Sequence, residues 1–444
     1  MKYFIITVFA IIILGCSSND DINNKPLEIT ISNFETSYSQ VKIDWEITRP
    51  DGIIIQDLLV YRQSKNNDTN FYREELIANL PSNETKFIDN EVPYNKEVSY
   101  KIQINYTDER TQPIQYLSLA SEQKKFIREI VTFENVPFQV QKDPVQTDVF
   151  HILERSGTGT LNRYNSAQNK ITDTKVFDER WALNNRFQII NNTDIYVATY
   201  YGKIHKINAT NYNTVATFST SIVNKLNAFA VDGDRIYYKD DEILKYHAMA
   251  TNISKSMNMG VEFQYGENLS PGTFLFLYNG SGYGSGASVS KMSGSCPDEP
   301  GCYFESIASI NLSQSSTNQI DPNIFAWNAQ KTKFISSIDG QIFNLSTLQP
   351  EKKLKDITGK HYIQYAYDNE DNIYAAVQGE KLIHKFNKNY ELVEKISTKL
   401  YPIFPIITSN GLKVIGAYEA VSYWNYEYGN GFNFNVKCAV ETFN

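Results

Sequence analysis

The chain has 444 residues, of which 42 are Lys or Arg and 50 Asp or Glu, for a formal net charge of -8 and a pI near 5.4. That balance argues against a nucleic-acid partner, whose phosphates are held by clustered cations. A hydrophobic fraction of 41% is enough to build cores for two or three domains, and 30 Tyr and 25 Phe beside many Asn, Ser and Thr favour strands and polar turns over helices.

Residues 1–15 join a basic start at Lys2, an apolar run from Tyr3 to Leu14 broken only by Thr7, and the small Gly15 before Cys16. This is the pattern of a secretory signal peptide, and the run is too short to cross about 30 Å of hydrocarbon. Ile13-Leu14-Gly15-Cys16 resembles the lipobox of bacterial lipoproteins. The resemblance implies that the leader is removed and that Cys16 is diacylated, with a further acyl chain on the new amino terminus. At about 0.8 kcal/mol per buried methylene, two or three such chains hold a protein on a membrane permanently. Residues 16–25 are then a polar tether carrying the lipidated Cys16, too poor in apolar side chains to fold. Ser17 beside the cysteine resembles outer-membrane sorting, and Asp20-Asp21 resembles the surface-export signal of Bacteroidota lipoproteins. Together they imply a lipid anchor in the outer membrane with the chain facing outward.

Residues 26–125 alternate apolar and polar side chains in short runs between turn clusters. Strands are predicted in Leu27 to Ile31, Val41 to Ile47, Asp57 to Arg62, Leu76 to Leu80, Lys86 to Ile88, Val98 to Tyr106 and Gln115 to Ala120. Seven strands in about 100 residues predict a β-sandwich. Val41-Lys42-Ile43-Asp44-Trp45-Glu46 resembles the second strand of a fibronectin type III domain with its core tryptophan, and Leu58-Leu59-Val60-Tyr61-Arg62 its third. The run from Thr85 through Pro93-Tyr94-Asn95 to Tyr100-Lys101-Ile102 is similar to the family's fifth strand, turn and tyrosine-bearing sixth strand, with Asn95 where the family usually has Gly. The resemblance implies a spacer.

Residues 126–136 read as a linker, and 137–444 as a repeat of about 44 residues per unit. Its clearest copy is Asp368-Asn369-Glu370-Asp371-Asn372 and the strand Ile373 to Val377, then Leu382-Ile383-His384-Lys385-Phe386. Further copies start near Asn191, Asp232, Lys333 and Gly411, the last ending in Val421-Ser422-Tyr423-Trp424. Four short strands per repeat predict a β-propeller, with seven blades the expected number. The clearest copy resembles NHL-type and quinoprotein-like propellers in fold only, because the tryptophan docking motif and the WD dipeptide are absent.

With Cys16 assigned to lipid, the five-residue spacer between Cys296 and Cys302 predicts a local disulfide in an oxidising envelope. Cys438, in a strand-like run, reads as a buried free thiol, with pairing to one of the other two as the alternative. His205 and His384 hold the place that Phe343 and Leu244 take in other repeats, which points to packing rather than to metal or acid–base work. Asp368 to Asn372 lacks the glycine and distal glutamate of an EF-hand and reads as a polar hairpin turn. The run Gly280 to Gly286 lacks the G-x-G-x-x-G spacing of a dinucleotide site. With the Cys296–Cys302 loop it is expected to form one long excursion of the fourth blade, a candidate binding loop bearing Tyr283 and Tyr303.

No catalytic, cofactor-binding or metal-binding residues are predicted. The expected role is a non-catalytic envelope lipoprotein that presents a propeller for protein or glycan binding. Two alternatives stand beside it: a propeller enzyme acting on polysaccharide or an oxidoreductase-like substrate, and a structural subunit of an envelope complex.

Overall fold

The computed structural model describes residues 26–65, 73–154, 159–177, 186–199, 202–220, 226–240, 243–257, 263–279, 287–295, 303–312, 320–421 and 436–443. They fall into two compact units, one ending at Arg128 and the other Glu129–Phe443. Calls on Cys16, Tyr283, Cys296 and Cys302 lie outside the described residues.

The first unit has strands β1 (Glu28–Thr36), β2 (Val41–Thr48), β3 (Ile53–Lys65), β4 (Arg73–Leu80), β5 (Lys86–Asp89), β6 (Glu97–Asp108), β7 (Gln115–Ala120) and β8 (Lys124–Ile127). They form two sheets, β1-β2-β5 and β4-β3-β6-β7, with β8 also paired to β6. In β2 the alternation sends Val41, Ile43 and Trp45 inward and leaves Lys42 and Glu46 exposed. These residues share one core with Leu58, Val60, Tyr100 and Ile102 of the facing sheet, which makes the unit a β-sandwich. All seven predicted strands are present. The eighth, β8, was not predicted: Ser121 interrupts the last strand and yet keeps its two halves on β6. Its N–H donates to the Ile102 carbonyl at 2.8 Å, and its Oγ accepts from the Ile102 N–H at 3.0 Å.

Beneath that core, the Tyr100 hydroxyl donates to Asp89 Oδ2 at 2.8 Å, and Arg62 donates to the same oxygen at 2.8 Å and to Glu75 at 2.9 Å. Burial and the facing carboxylate push the Tyr100 hydroxyl far above its ordinary pKa, so it stays a donor at any working pH. Tyr100→Phe leaves one fewer donor on a buried carboxylate, and is expected to destabilise this unit by about 1–2 kcal/mol in urea unfolding of the full chain.

The second unit is built from four-stranded antiparallel sheets, seven of them among the described residues. Sheet 1 is Gln139–Lys142, Val149–Glu154, Thr160–Asn165 and Lys170–Val176. The first strands of sheets 2 to 6 are Gln188–Ile190, Leu226–Asp232, Tyr265–Ser270, Ala326–Trp327 and Tyr362–Tyr367. Sheet 7 is Tyr401–Thr408, Gly411–Ala417 and Cys438–Thr442, and its fourth strand is β9 (Thr132–Phe133), which comes from the other end of the unit.

Shared cores bind each sheet to the next. Leu153 of sheet 1 and Phe138 just before it pack with Ile195 of sheet 2 and Phe187 just before it. Sheets 2 and 3, 3 and 4, 4 and 5, and 5 and 6 join in the same way. The last cluster unites Ile363 of sheet 6 with Phe404 and Ile415 of sheet 7 and with Phe150 and Ile152 of sheet 1. A closed ring of four-stranded sheets whose last member borrows a strand from the unit's other end is a β-propeller.

One expectation is corrected by this topology. The segment 126–136, read as a linker, supplies the end of β8 to the sandwich and all of β9 to the propeller, because both sheets need an edge filled. In the last repeat the strand that pairs with Gly411–Ala417 is Cys438–Thr442; Val421 is buried, and Ser422, Tyr423 and Trp424 of the run expected there lie outside the described residues. Asp368 to Asn372 is a hairpin turn, as read: Asp368 Oδ1 accepts the N–H groups of Glu370 and Asn372, both at 2.9 Å, and Asp371 takes a φ of 63°.

Candidate functional site

In each sheet the first strand begins on one face of the ring, and the connections between second and third strands return to that same face. Sheet 4 has its third strand at Ala287–Ser295 and its fourth at Tyr303–Leu312. The glycine-rich run therefore joins the third strand at its start, and the Cys296–Cys302 stretch leaves from its end. Nine residues of strand span roughly 27 Å, so the two ends of this strand lie on opposite faces; the glycine-rich run and the Cys296–Cys302 stretch themselves lie outside the described residues. Tyr303 pairs with Ser295 and is partly buried.

The histidines are held by packing. His384 is buried, with Nδ1 at 3.0 Å from the Tyr362 hydroxyl, while His205 is partly exposed and its Nδ1 lies 3.2 Å from Thr217 Oγ1. Burial lowers the His384 pKa, which keeps the ring neutral. The third strands Lys203–Asn208 and Ile243–Ala248 share one burial pattern, which registers Lys245, and not Leu244, with His205. His151 is fully buried between Asp143 Oδ2 at 3.0 Å and the Tyr212 hydroxyl at 2.7 Å, tying sheet 1 to sheet 2. Cys438 is a free, fully buried thiol whose pKa burial raises. Among the described residues no group of three or more His, Cys, Asp and Glu is placed to hold a metal ion.

The centre of the ring carries a cluster that sequence patterns did not reveal. First strands of neighbouring sheets need hydrogen bonds that no sheet ladder supplies, and glutamine, with a donor and an acceptor on one amide, supplies them. Gln139 donates to the Phe187 carbonyl at 3.1 Å and accepts its N–H at 2.7 Å. Gln188 donates to the carbonyls of Phe229 and Gly266, each at 2.8 Å, and accepts from Val231 at 3.1 Å, joining sheets 2, 3 and 4. Gln364 donates to the Asn323 carbonyl at 2.9 Å, joining sheet 6 to the approach to sheet 5.

Arg186, just before the first strand of sheet 2, reaches across the ring. Its Nη1 donates to the Asn323 carbonyl at 3.0 Å, and its guanidinium lies 5.2 Å from the Tyr265 ring centre and 5.8 Å from that of Phe325. Tyr265 in turn donates to Glu267. Beside Asn323, Asp321 accepts the Asn323 N–H at 2.8 Å and its main chain is bracketed by Ser336 Oγ. Arg186 Nε, Asp321 Oδ2 and Asn323 Nδ2 are shut from solvent without a hydrogen-bond partner. On the same face Asp339 lies 3.3 Å from Lys355 Nζ and 2.8 Å from His361 Nδ1, the latter without the angle a hydrogen bond requires. Arg186, Asp321 and Asn323 tie the approaches to sheets 2 and 5 together.

Burial raises the Asp321 carboxyl from 3.8 to about 6, against the lowering pull of the Asn323 N–H and the Arg186 charge. The folded protein thus holds this proton more tightly than the unfolded chain does. Stability from this group is full below pH ~4 and is lost as pH rises through ~6. Asp321→Asn keeps the acceptor and drops the charge. It is expected to stabilise the propeller by about 2–3 kcal/mol at pH 7.5 and to change little at pH 4. Urea midpoints at the two pH values check this, and an equal effect at both would refute it.

No protein-family model matches the chain, and no curated protein matches it. Among solved structures, one described as U3-55K is 12% identical with a TM-score of 0.45, covering 70% of this chain and 98% of its own. The RRP9 WD40 repeats are 12% identical with a TM-score of 0.46, over 70% of this chain and 96% of that one. BamB from Moraxella catarrhalis is 11% identical with a TM-score of 0.40, over 71% and 100%.

Proposed function

We propose that this chain is a non-catalytic lipoprotein of a bacterial outer membrane, held by lipid on Cys16, that displays a seven-bladed propeller for binding a protein or a glycan. In this reading residues 26–128 are a fibronectin type III spacer, and the surface on offer is the rim where the connections gather. One observation supports the non-catalytic part: Asp321, Asn323 and the glutamine bonds in the middle of the ring are buried, and Arg186, itself half-buried, has its Nε closed to solvent beside them. A propeller enzyme gathers its reacting groups where substrate can approach, and here that place is given to bracing.

The test has two arms. Cys16→Ala should move the chain from the membrane fraction to the soluble fraction; continued membrane attachment would refute the anchor. The purified full chain should retain an envelope protein or a glycan from a defined array and release it unchanged. Conversion of any retained glycan or alcohol would overturn the binding role.

A further inference from the structure

A cavity of about 420 Å³ lies at the seam where the ring closes, between β9 with the residues that follow it and the second to fourth strands of sheet 1. We infer that it binds a small hydroxylated organic cation of the amino-alcohol or amino-sugar class.

Glu154 supplies the charge. It ends the second strand of sheet 1 and is only 9% exposed. Its Oε1 accepts from Asn162 Nδ2 at 2.6 Å and from Thr160 Oγ1 at 3.3 Å. The Asn162 amide is oriented in turn by Thr174, whose Oγ1 donates to Asn162 Oδ1 at 2.7 Å. All these donors are neutral. Glu134, the other carboxylate of the lining, is largely exposed and lies 3.6 Å from Lys437 Nζ. Among the described residues no Lys, Arg or His pairs with Glu154, and none lines the cavity. A buried carboxylate without a counter-charge is costly, and burial accordingly raises its pKa. An entering ammonium group restores the balance.

The rest of the lining sets the class. Thr132, Thr160, Thr174 and Asn135 offer hydroxyl and amide groups to a ligand's hydroxyls, and Phe133 and Ile171 supply an apolar wall. The volume falls in the range of roughly 300–1,000 Å³ usual for small-molecule sites. Because β9 and sheet 1 come from either side of the ring's closure, a ligand touching both favours the closed ring and raises its melting temperature.

Ethanolamine and ethylene glycol, alike but for the charge, are the probes, added to the full chain at matched ionic strength. Ethanolamine should raise the melting temperature saturably by about 2 °C or more, and ethylene glycol should not. Glu154→Gln, which removes the uncompensated charge, should melt at or above the parent's temperature without probe and lose the response. Thr174→Val, which frees the Asn162 amide, should weaken binding about fivefold by calorimetry. No saturable response, equal responses to both probes, or a response kept by Glu154→Gln would each overturn the site.

Discussion

Arg186→Met is expected to destabilise the propeller by about 2–4 kcal/mol while leaving the sandwich's own transition in place. Methionine keeps the packing of the arginine stem, so the loss isolates the guanidinium. Three things go with it: the charge-assisted bond to the Asn323 carbonyl, the stacking over Tyr265 and Phe325, and the positive charge facing Asp321. A hydrogen bond to a charged group contributes about 1.5–3 kcal/mol and a desolvated cation–π contact up to about 2 kcal/mol, and such values do not add in full. Urea unfolding reads the change. Without Arg186 the Asp321 carboxyl should also titrate higher than about 6, so the fall in stability still begins at pH ~4, where the unfolded chain loses the proton, but continues to a higher pH before it levels off. A midpoint within experimental error of the parent would mean that the ring does not depend on this crossing.

Phe133→Ala should be at least as damaging. Phe133 is one of the two residues of β9, pairs with Cys438, is 3% exposed, and lies in the cluster that unites sheets 6, 7 and 1. Emptying a buried phenylalanine site costs about 3–5 kcal/mol, and here the same side chain pins the strand that closes the ring. The variant is expected to unfold at markedly lower urea and to become cleavable between residues 129 and 137. Val145→Ala is the control: Val145 is 66% exposed and its truncation should change stability by less than about 0.5 kcal/mol. Equal behaviour of the two variants would show that β9 is dispensable.

Much of the scaffold was legible beforehand because its signals are local. Val41, Ile43 and Trp45 alternate with Lys42, Asp44 and Glu46, and the structure turns those apolar side chains inward. The turn at Asp368 to Asn372 is written in residues that hydrogen-bond their own main chain. Misreadings arose where a local signal was asked a non-local question. The glycine-rich run and the Cys296–Cys302 stretch are close in sequence, yet a nine-residue strand stands between them. Alignment of the repeats sets Leu244 beside His205, while burial, which obeys the pairing of strands, sets Lys245 there. The ring's centre had one readable signal, a glutamine in or beside the first strand at positions 139, 188 and 364, but the partners of these side chains lie in other sheets.

The amino-acid sequence by itself determined an all-β chain, the change near residue 126 from sandwich to repeat, and most of the strands, since side-chain alternation and turn chemistry act over a few residues. Tertiary structure alone decided how the ring closes through β9, what fills its centre, and that Glu154 faces a cavity at the seam. Each of these depends on residues far apart in the chain meeting only when every sheet has packed on the next, and no short-range pattern encodes that meeting.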